Sequence, residues 1–561
     1  MVTLTIDGKK LEVENGLTII QAARNSGIEI PHFCWHPNLS VAGNCRMCLV
    51  EVEKVPKLVI ACSTTVADGM VVHTSNEKVK NAREAVMEFL LINHPLDCPI
   101  CDEAGECKLQ DYAYTYSVGY SRFEEDKVHK PKRVLLGPHV MLDTERCIMC
   151  SRCVRFCDEI ARKPQLTFTQ RGDHTELTTF PGEQLDNPYS MNVIDICPVG
   201  ALTSREFRFK ARVWEMSATE TVCPGCARGC NMISWVRNNE VLRQTPRFNP
   251  DVNQYWMCDR GRLETFRPVN SDQRIKGPLM RKEAGVVEVG WDEAIARVAS
   301  ELKSFRKAEL AVLGSAFDSN EDNYVLQKFA REVLQTRNVD FRRHIIPGDE
   351  DRLLISSDKT PNSRGALEVG VRPGEGGTNS EGILRGIKEG AIKALYLVDD
   401  QVPWEPDLVQ TLSRLEFLVV LGSVETEITR MADIVLSAST YAEKNGTFTN
   451  LQGRVQRLRP SVATLDTDRA LDGFAMSRLD KFGSQFDRWA RGSKRDARST
   501  WRITAGIAVL MGAKFKYQTA EDVFNEIATQ VDSFKGMSYR KVANRGMVLK
   551  SHKETNVSMP V

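Results

Sequence analysis

Val2–Ile6 alternates apolar and polar side chains, Asp7 and Gly8 supply a hairpin turn, and residues 11–14 alternate back. The chain therefore opens as two antiparallel strands. Thr18 with Gln21 three positions on reads as a capping box for a helix over Ile19–Asn25, which Gly27 stops. Leu49–Val52 predicts another strand, and Glu77–Ile92 a helix with Val79, Ala82, Val86 and Phe89/Leu90 on one face. Residues 118–140 are charged and broken at Pro131, the pattern of a linker. Residues 232–237 and 241–244 predict short strands joined by Asn238 and Asn239. From Trp291 the rhythm becomes α/β: helix over 292–305, strand over 308–313, a helix capped near Ser319 and running through Leu334, then strands over Ala394–Val398 and 417–421. Residues 465–561 are polar and mostly helical in pattern, with no motif that carries chemistry.

Composition narrows the class. The 561 residues predict about three to five domains, and 42% hydrophobic with 27% charged residues is the balance of a soluble globular protein. A formal net charge of +1 gives no reason to expect nucleic acid or an anionic membrane surface. The longest uncharged apolar-rich run, residues 503–513, is too short to span a bilayer. No secretory or twin-arginine leader is read at Met1, so the cytoplasm is expected.

The 16 cysteines change the picture most. All lie between Cys34 and Cys258, in four groups with short internal gaps, which suits metal binding in a reducing compartment rather than disulfides. Cys147, Cys150, Cys153 and Cys157 form a C-x2-C-x2-C-x3-C run, the spacing that wraps thiolates around an iron–sulfur cube. In two-cluster ferredoxins the fourth Cys of one run serves the other cluster. On that plan remote Cys197, followed by Pro198, completes Cys147, Cys150 and Cys153, and Cys157 is a spare buried thiol. Structural zinc is the alternative, and it usually takes two separated C-x2-C knuckles.

Cys34, Cys45, Cys48 and Cys62 follow the strand–turn–strand–helix opening with spacing C-x10-C-x2-C-x13-C. That spacing differs from the plant-type one but resembles the 2Fe–2S domain of complex I and related hydrogenases, with zinc a minor alternative. Cys98, Cys101 and Cys107 cannot close a cube alone, and His94 stands four residues ahead of Cys98. This H-x3-C-x2-C-x5-C pattern resembles the His-plus-three-Cys 4Fe–4S domain of complex I, whereas His32, His36 and His139 are read as ordinary residues. Cys223, Cys226, Cys230 and Cys258, at C-x2-C-x3-C-x27-C, resemble the N-terminal 4Fe–4S domain of molybdopterin oxidoreductases. The stretch from Tyr441 to Asn450, with Gly453 to Gln456, resembles a recurrent segment of the same fold.

Taken in order, these motifs cover nearly the whole chain and resemble the large iron–sulfur subunits of NADH:quinone oxidoreductases, respiratory complex I. The fold class expected is multidomain α/β and α+β. Its parts are a β-grasp 2Fe–2S ferredoxin domain (1–77), a His-plus-three-Cys 4Fe–4S domain (78–117), a linker (118–140) and half a bacterial-type ferredoxin (141–212). A molybdopterin-oxidoreductase-type 4Fe–4S domain (216–272), a reduced doubly wound α/β domain (273–464) and a mostly helical C-terminal region (465–561) follow. The resemblance implies one 2Fe–2S and three 4Fe–4S clusters, which would take the formal net charge from +1 to about −6.

It further implies single-electron relay from an NADH-binding flavoprotein subunit toward quinone, with no catalytic residue in this chain. The expected partners are that subunit, a 2Fe–2S thioredoxin-like subunit and hydrophilic quinone-module subunits. The setting implied is the cytoplasmic side of a bacterial inner membrane, reached only through partners. No Walker A run appears, and Gly374, Gly376 and Gly377 lack the dinucleotide fingerprint, so no NAD or flavin site is expected and the stretch reads as a loop. No cysteine follows Cys258 to hold molybdenum or tungsten, and no bound molybdopterin is expected. The alternative is the catalytic subunit of an NAD-linked formate dehydrogenase, which would bind a pterin and metal. An iron hydrogenase and a zinc scaffold are weaker readings.

Overall fold

The computed structural model describes residues 1–283, 285–398, 402–466 and 494–550. They form two compact units, the first from Met1 to Val213 and the second beginning at Trp214.

The first unit opens on a five-stranded sheet in the order Lys9–Val13, Val2–Ile6, Met70–His73, Leu49–Val52, Val59–Ile60. Val2–Ile6 runs antiparallel to Lys9–Val13 and parallel to Met70–His73. Asp7 and Gly8 both take positive φ, 47° and 80°, the turn that matches strand twist. The helix Ile19–Asn25 covers the sheet with buried Ile19, Ile20, Ala22 and Ala23, and the Thr18 N–H donates to Gln21 Oε1 at 2.9 Å.

Glu77–Ile92 is a helix, but its buried face is Val79, Arg83 and Met87, and Phe89 is 77% exposed. The predicted face is rotated because an arginine takes a core position. Arg83 donates to the Leu49 carbonyl at 3.0 Å and lies over the Tyr116 ring at 5.4 Å, so its charge is hydrogen-bonded and capped. The expected linker also differs. Within it Val134–Leu135 pairs with Val140–Leu142, which pairs in turn with Leu202–Ser204. A short alternating segment on a sheet edge gave no periodicity to read beside its charged flanks.

The second unit begins with a three-stranded meander, Ser217–Val222, Asn231–Arg237 and Glu240–Pro246. Asn238 and Asn239 turn between the last two at φ 52° and 63°. A seven-stranded sheet follows in the order Gly285–Glu288, Leu279–Lys282, Ile434–Ser437, Phe417–Gly422, Ala394–Val398, Leu310–Ser315, Val339–Arg342. Its last five strands are parallel, and Leu279–Lys282 and Gly285–Glu288 are antiparallel at one edge.

The central strands alternate between two cores. Val312, Tyr396 and Val419 join one cluster with the helices Trp291–Ser304 and Asn320–Lys328. Leu313, Leu395, Leu397 and Val420 join the other with Ile383, Ile387 and Leu412. Both sheet faces are therefore covered, as parallel sheets require.

Thr500–Leu510 and Ala520–Gln530 belong to that first cluster through Trp501, Ile503, Ile507, Phe524 and Ile527. The described end of the chain is thus part of the α/β core rather than a region apart, and Met547–Val548 pairs with Arg454–Leu458. The expectation for 467–493 and 551–561 lies outside the described residues.

Buried charges lock this unit. Arg274 and Glu443, with side chains 1% and 0% exposed, meet in a two-bond pair at 3.0 and 2.7 Å. Burial alone would push the Glu443 carboxyl up, but Arg274 outweighs it and holds it below the usual range. That contribution to stability is present above the unfolded carboxylate range and is lost as pH falls through the folded value. Arg274→Met should cost about 3–5 kcal/mol by stranding a buried carboxylate, and adding Glu443→Leu should recover most of it. Urea unfolding followed by tryptophan fluorescence measures both; a single variant as stable as the parent would refute the role.

Candidate metal centres

Three of the four cysteine groups sit where an antiparallel ladder ends. Leu202 pairs with Leu142 across the short sheet, and the Asp143 N–H donates to the Ala201 carbonyl at 2.8 Å. Cys147 lies five residues beyond Leu142 and Cys197 five residues before Leu202, so the two loops leave the ladder side by side. Cys147, Cys150, Cys153 and Cys197 line one cavity, and Cys157 does not. Met149 and Ser151 take positive φ, 52° and 62°, which curls the loop around that cavity. Cys157 is fully buried within a π-type turn over Phe156–Ile160.

The second group follows the same rule. Leu49 pairs with Ile60, and the Ala61 N–H donates to the Cys48 carbonyl at 3.0 Å, so Cys48 and Cys62 meet at the ladder's mouth. The Cys34 N–H points at Cys45 Sγ, 3.4 Å away. Their thiols form one hydrogen-bonded pair, and those of Cys48 and Cys62 another. The Cys45 thiol, by its hydrogen bond, holds its Cys34 partner below the usual thiol range.

The third ladder joins Ser217–Val222 to Asn231–Arg237 and is extended by the Cys223 N–H donating to the Cys230 carbonyl at 2.8 Å. Cys258 caps the helix Asp259–Leu263, with the Gly261 N–H at 3.3 Å from its Sγ. A Cβ at Gly261 would stand 3.0 Å from Cys223 Sγ and 3.3 Å from Cys258 Sγ, so glycine lets both sulfurs close in. The loop carrying Cys226 and Cys230 is held from outside by the segment singled out in the sequence. Leu451 N–H, Asn450 Nδ2 and Gln456 Nε2 donate to the carbonyls of Ala227, Arg228 and Gly229 at 2.8, 3.2 and 2.9 Å.

The fourth group has no ladder. His94 follows the helix Glu77–Ile92, Cys98 opens a turn, Cys107 caps the helix Lys108–Tyr116, and all three line one cavity with Cys101. Burial, helped by the nearby Arg146 charge, pushes His94 down to about 4, so its imidazole is neutral at pH 7. Cys98 is exposed. Asp97 anchors the turn by accepting from Lys132 at 2.6 Å and Arg146 at 3.0 Å, contacts that no spacing rule signals. His32 Nδ1 bonds the Ile30 carbonyl and His139 Nδ1 bonds Glu206, both at 2.7 Å, as ordinary residues do.

The donor sets fit iron–sulfur groups. Burial pushes the Cys107, Cys147 and Cys258 thiols up to about 12, and Cys153, Cys197, Cys223 and Cys230 up as well. They are protons-on in the bare protein, and a bound group must displace those protons and bring compensating iron. Zinc would draw four donors to about 2.3 Å from a single point. Among the described residues no three His, Cys, Asp or Glu side chains converge tightly enough for one ion.

Family models divide the chain in the same order. A 2Fe-2S iron-sulfur cluster binding domain matches residues 1–77, and the NADH-ubiquinone oxidoreductase-G iron-sulfur binding region matches 83–122. The ferredoxin-like domain of NADH-quinone oxidoreductase subunit 3 matches 137–203. A molybdopterin oxidoreductase Fe4S4 domain matches 216–266, and a molybdopterin oxidoreductase model matches 358–470. The chain is built of 2Fe–2S, 4Fe–4S and molybdopterin-oxidoreductase domains.

The NADH-quinone oxidoreductase G subunit of Rickettsia bellii is 44% identical over 333 residues, 59% of this chain and 48% of that protein. The protein of the same name from Streptomyces coelicolor is 41% identical over 359 residues, 64% of this chain and 42% of that one. The mitochondrial NADH-ubiquinone oxidoreductase 78 kDa subunit of Neurospora crassa is 46% identical over 301 residues, 53% and 40%. Over this aligned part the chain is similar to NADH-quinone oxidoreductase G subunits. It spans about half the length of the curated relatives it matches. A solved NAD+-reducing [NiFe]-hydrogenase chain is 30% identical, with a TM-score of 0.35 over 38% of this chain and 91% of that one, a likeness too loose to bear on the assignment.

One residue the cysteine pattern misses is Gly200. A Cβ there would stand 2.2 Å from Cys101 Sγ and 3.0 Å from Glu103 Cβ. Gly200→Ala must displace Cys101 and should cost the loaded protein about four iron atoms while the Cys147 set keeps its own. Iron analysis with EPR checks this; full iron content in the variant would show that Cys101 is not held there for a cluster.

Proposed function

We propose that this chain is an electron-transfer subunit of an NADH:quinone oxidoreductase, carrying one 2Fe–2S and three 4Fe–4S clusters and no catalytic site of its own. The ligand sets are Cys34, Cys45, Cys48 and Cys62; His94, Cys98, Cys101 and Cys107; Cys147, Cys150, Cys153 and Cys197; and Cys223, Cys226, Cys230 and Cys258. The two close thiol pairs of the first set suit a binuclear group, where each iron takes two. Bound clusters supply one-electron oxidation and reduction, and the protein places and tunes them.

The observation that carries the reading is adjacency. Electron transfer fades steeply with distance, and three sets adjoin within the first unit. Arg155 donates to the carbonyls of both Cys34 and Cys150. Across the next gap, Cys197 is followed by Pro198, whose carbonyl accepts from the Lys108 N–H at 3.2 Å, and by Gly200 against Cys101. The sets thus run in the order Cys34, Cys147, Cys98 through direct contacts.

An NADH-binding flavoprotein, a 2Fe–2S thioredoxin-like subunit and hydrophilic quinone-module subunits are the partners this reading calls for, on the cytoplasmic side of a bacterial membrane. No described helix is long and apolar enough to cross a membrane, so attachment is assigned to partners. Bound molybdopterin is not part of the reading. The cavity among the described residues beside Pro224 and Gly225, at the carboxyl ends of the parallel strands, is about 230 Å3. Lys444 fills out that end with bonds to Asp318 and to Asp322 at 2.9 Å. The relatives' names do not favour the formate dehydrogenase alternative.

Anaerobically prepared protein should hold about fourteen iron atoms, and about four would rule the reading out. It should not reduce ferricyanide with NADH unless a flavoprotein is added. Cys157→Ser should leave the Cys147-type cube signal nearly intact, while Cys197→Ser should degrade it; the reverse pattern would reject the ligand choice. His94→Cys adds a negative charge to a cube and should lower its midpoint potential. An unchanged or raised midpoint would show that His94 is not a ligand.

A further inference from the structure

Two arginines stand between the Cys34 and Cys147 sets. Arg155 Nη2 donates to the Cys34 carbonyl at 2.6 Å and to the Cys150 carbonyl at 3.3 Å. Its Nη1 donates to the Ser40 carbonyl, and its Nε to Ser151 Oγ at 3.2 Å. Arg152 Nη2 donates to the Trp35 carbonyl at 2.6 Å and its Nη1 to the Ile196 carbonyl at 3.1 Å. Each guanidinium therefore ties the loop after Cys34 to the backbone around Cys150 or Cys197.

Neither pairs with a carboxylate among the described residues. Glu159, one turn beyond Arg155, instead accepts from the Ser40 N–H at 2.8 Å and from the Ser40 hydroxyl. Arg152 Nε is buried and donates to nothing. Thiols of both sets are among the groups Arg152 acts on through charge: Cys150, Cys197, Cys34 and Cys45. A guanidinium withdrawn from water gains from a nearby negative charge, and thiols of both sets lie within reach of Arg152.

Resting on the ligand sets proposed above, we propose that Arg152 and Arg155 are positioning residues shared by the 2Fe–2S group and the Cys147-type cube. Their backbone bonds fix the gap between the two sites. Their unpaired positive charge favours the reduced, more negative state of both clusters and raises both reduction potentials together. A guanidinium suits this better than an ammonium because its fork can hold two carbonyls at once while keeping its charge.

The test uses the full-length chain, anaerobically loaded, with EPR-monitored redox titration and iron analysis. Arg155→Gln should lower the midpoints of both clusters, each reduction constant falling about tenfold, which for one electron is about 59 mV. Arg152→Gln should act in the same direction. Arg155→Lys keeps the charge, so both midpoints should hold while the magnetic interaction between the two reduced clusters changes, because the forked tie is lost.

Unchanged midpoints in both Gln variants at full iron content would overturn the proposal. So would an Arg155→Lys shift as large as that of Arg155→Gln, since charge would then not be the cause. If Arg155→Gln sheds iron, Arg152→Gln supplies the charge readout. Parent protein that carries neither a binuclear signal nor about fourteen iron atoms would instead reject the ligand sets themselves.

Discussion

Antiparallel pairing is the constraint on which the candidate centres depend. A cysteine pair close in sequence needs only a tight loop, but a ligand set must also recruit a thiol from far along the chain. Pairing two strands in fixed register solves this, because whatever follows the last rung on one strand faces whatever precedes it on the other. Leu142 against Leu202 brings Cys197 to Cys147, Leu49 against Ile60 brings Cys62 to Cys48, and Val222 against Asn231 sets Cys223 beside Cys230. A one-residue slip in any of these ladders would turn the recruited thiol away.

The His94 set is the exception, and its surroundings reflect that. It is strung along helix ends and a turn, Cys98 is exposed, and the set lines the edge of a wide cavity. What replaces the ladder is charge and close packing. Asp97 is clamped by Lys132 and Arg146, Asp102 accepts from the Phe209 N–H at 3.0 Å, and Gly200 presses bare backbone onto Cys101. The same segment carries Cys197, so the geometry of one set is tied to that of the next.

Much of this was legible because thiol spacing is chemical and local. Two-residue gaps mark a loop that can wrap a metal group whatever the fold, and the residue pattern marked Ile19–Asn25, Glu77–Ile92 and the three central parallel strands, but not Val339–Arg342 or Ile434–Ser437. What escaped depends on tertiary context. Arg83 on a core face rotated a helix that periodicity had oriented by Phe89. Val134–Leu135 is too short to alternate visibly within its charged flanks. No sequence pattern marks Arg274, Glu443 and Lys444 as buried, and each lies buried because it finds a partner brought from more than a hundred residues away. Arg152 and Arg155 sit inside the cysteine motif itself, where spacing rules treat them as filler.

The α/β unit shows why a large domain would be kept around a single cysteine loop. Three successive carbonyls, of Ala227, Arg228 and Gly229, accept from residues 450–456, and the Asn231 amide donates to Gln456. Gly229 sits at φ 63°, and a Cβ there would meet Gln456 Nε2 at 2.8 Å. The hairpin that makes these bonds pairs Gly446–Thr449 with Arg454–Leu458. It is anchored in turn by Glu321, which accepts from the Thr447 N–H at 2.8 Å and from the Tyr539 hydroxyl at 2.9 Å. Tyr539 packs against the cluster that contains Trp501 and Phe524. Loop, hairpin, buried carboxylate and core helices therefore form one load path, in which the parallel sheet acts on the thiols only through the backbone it holds still.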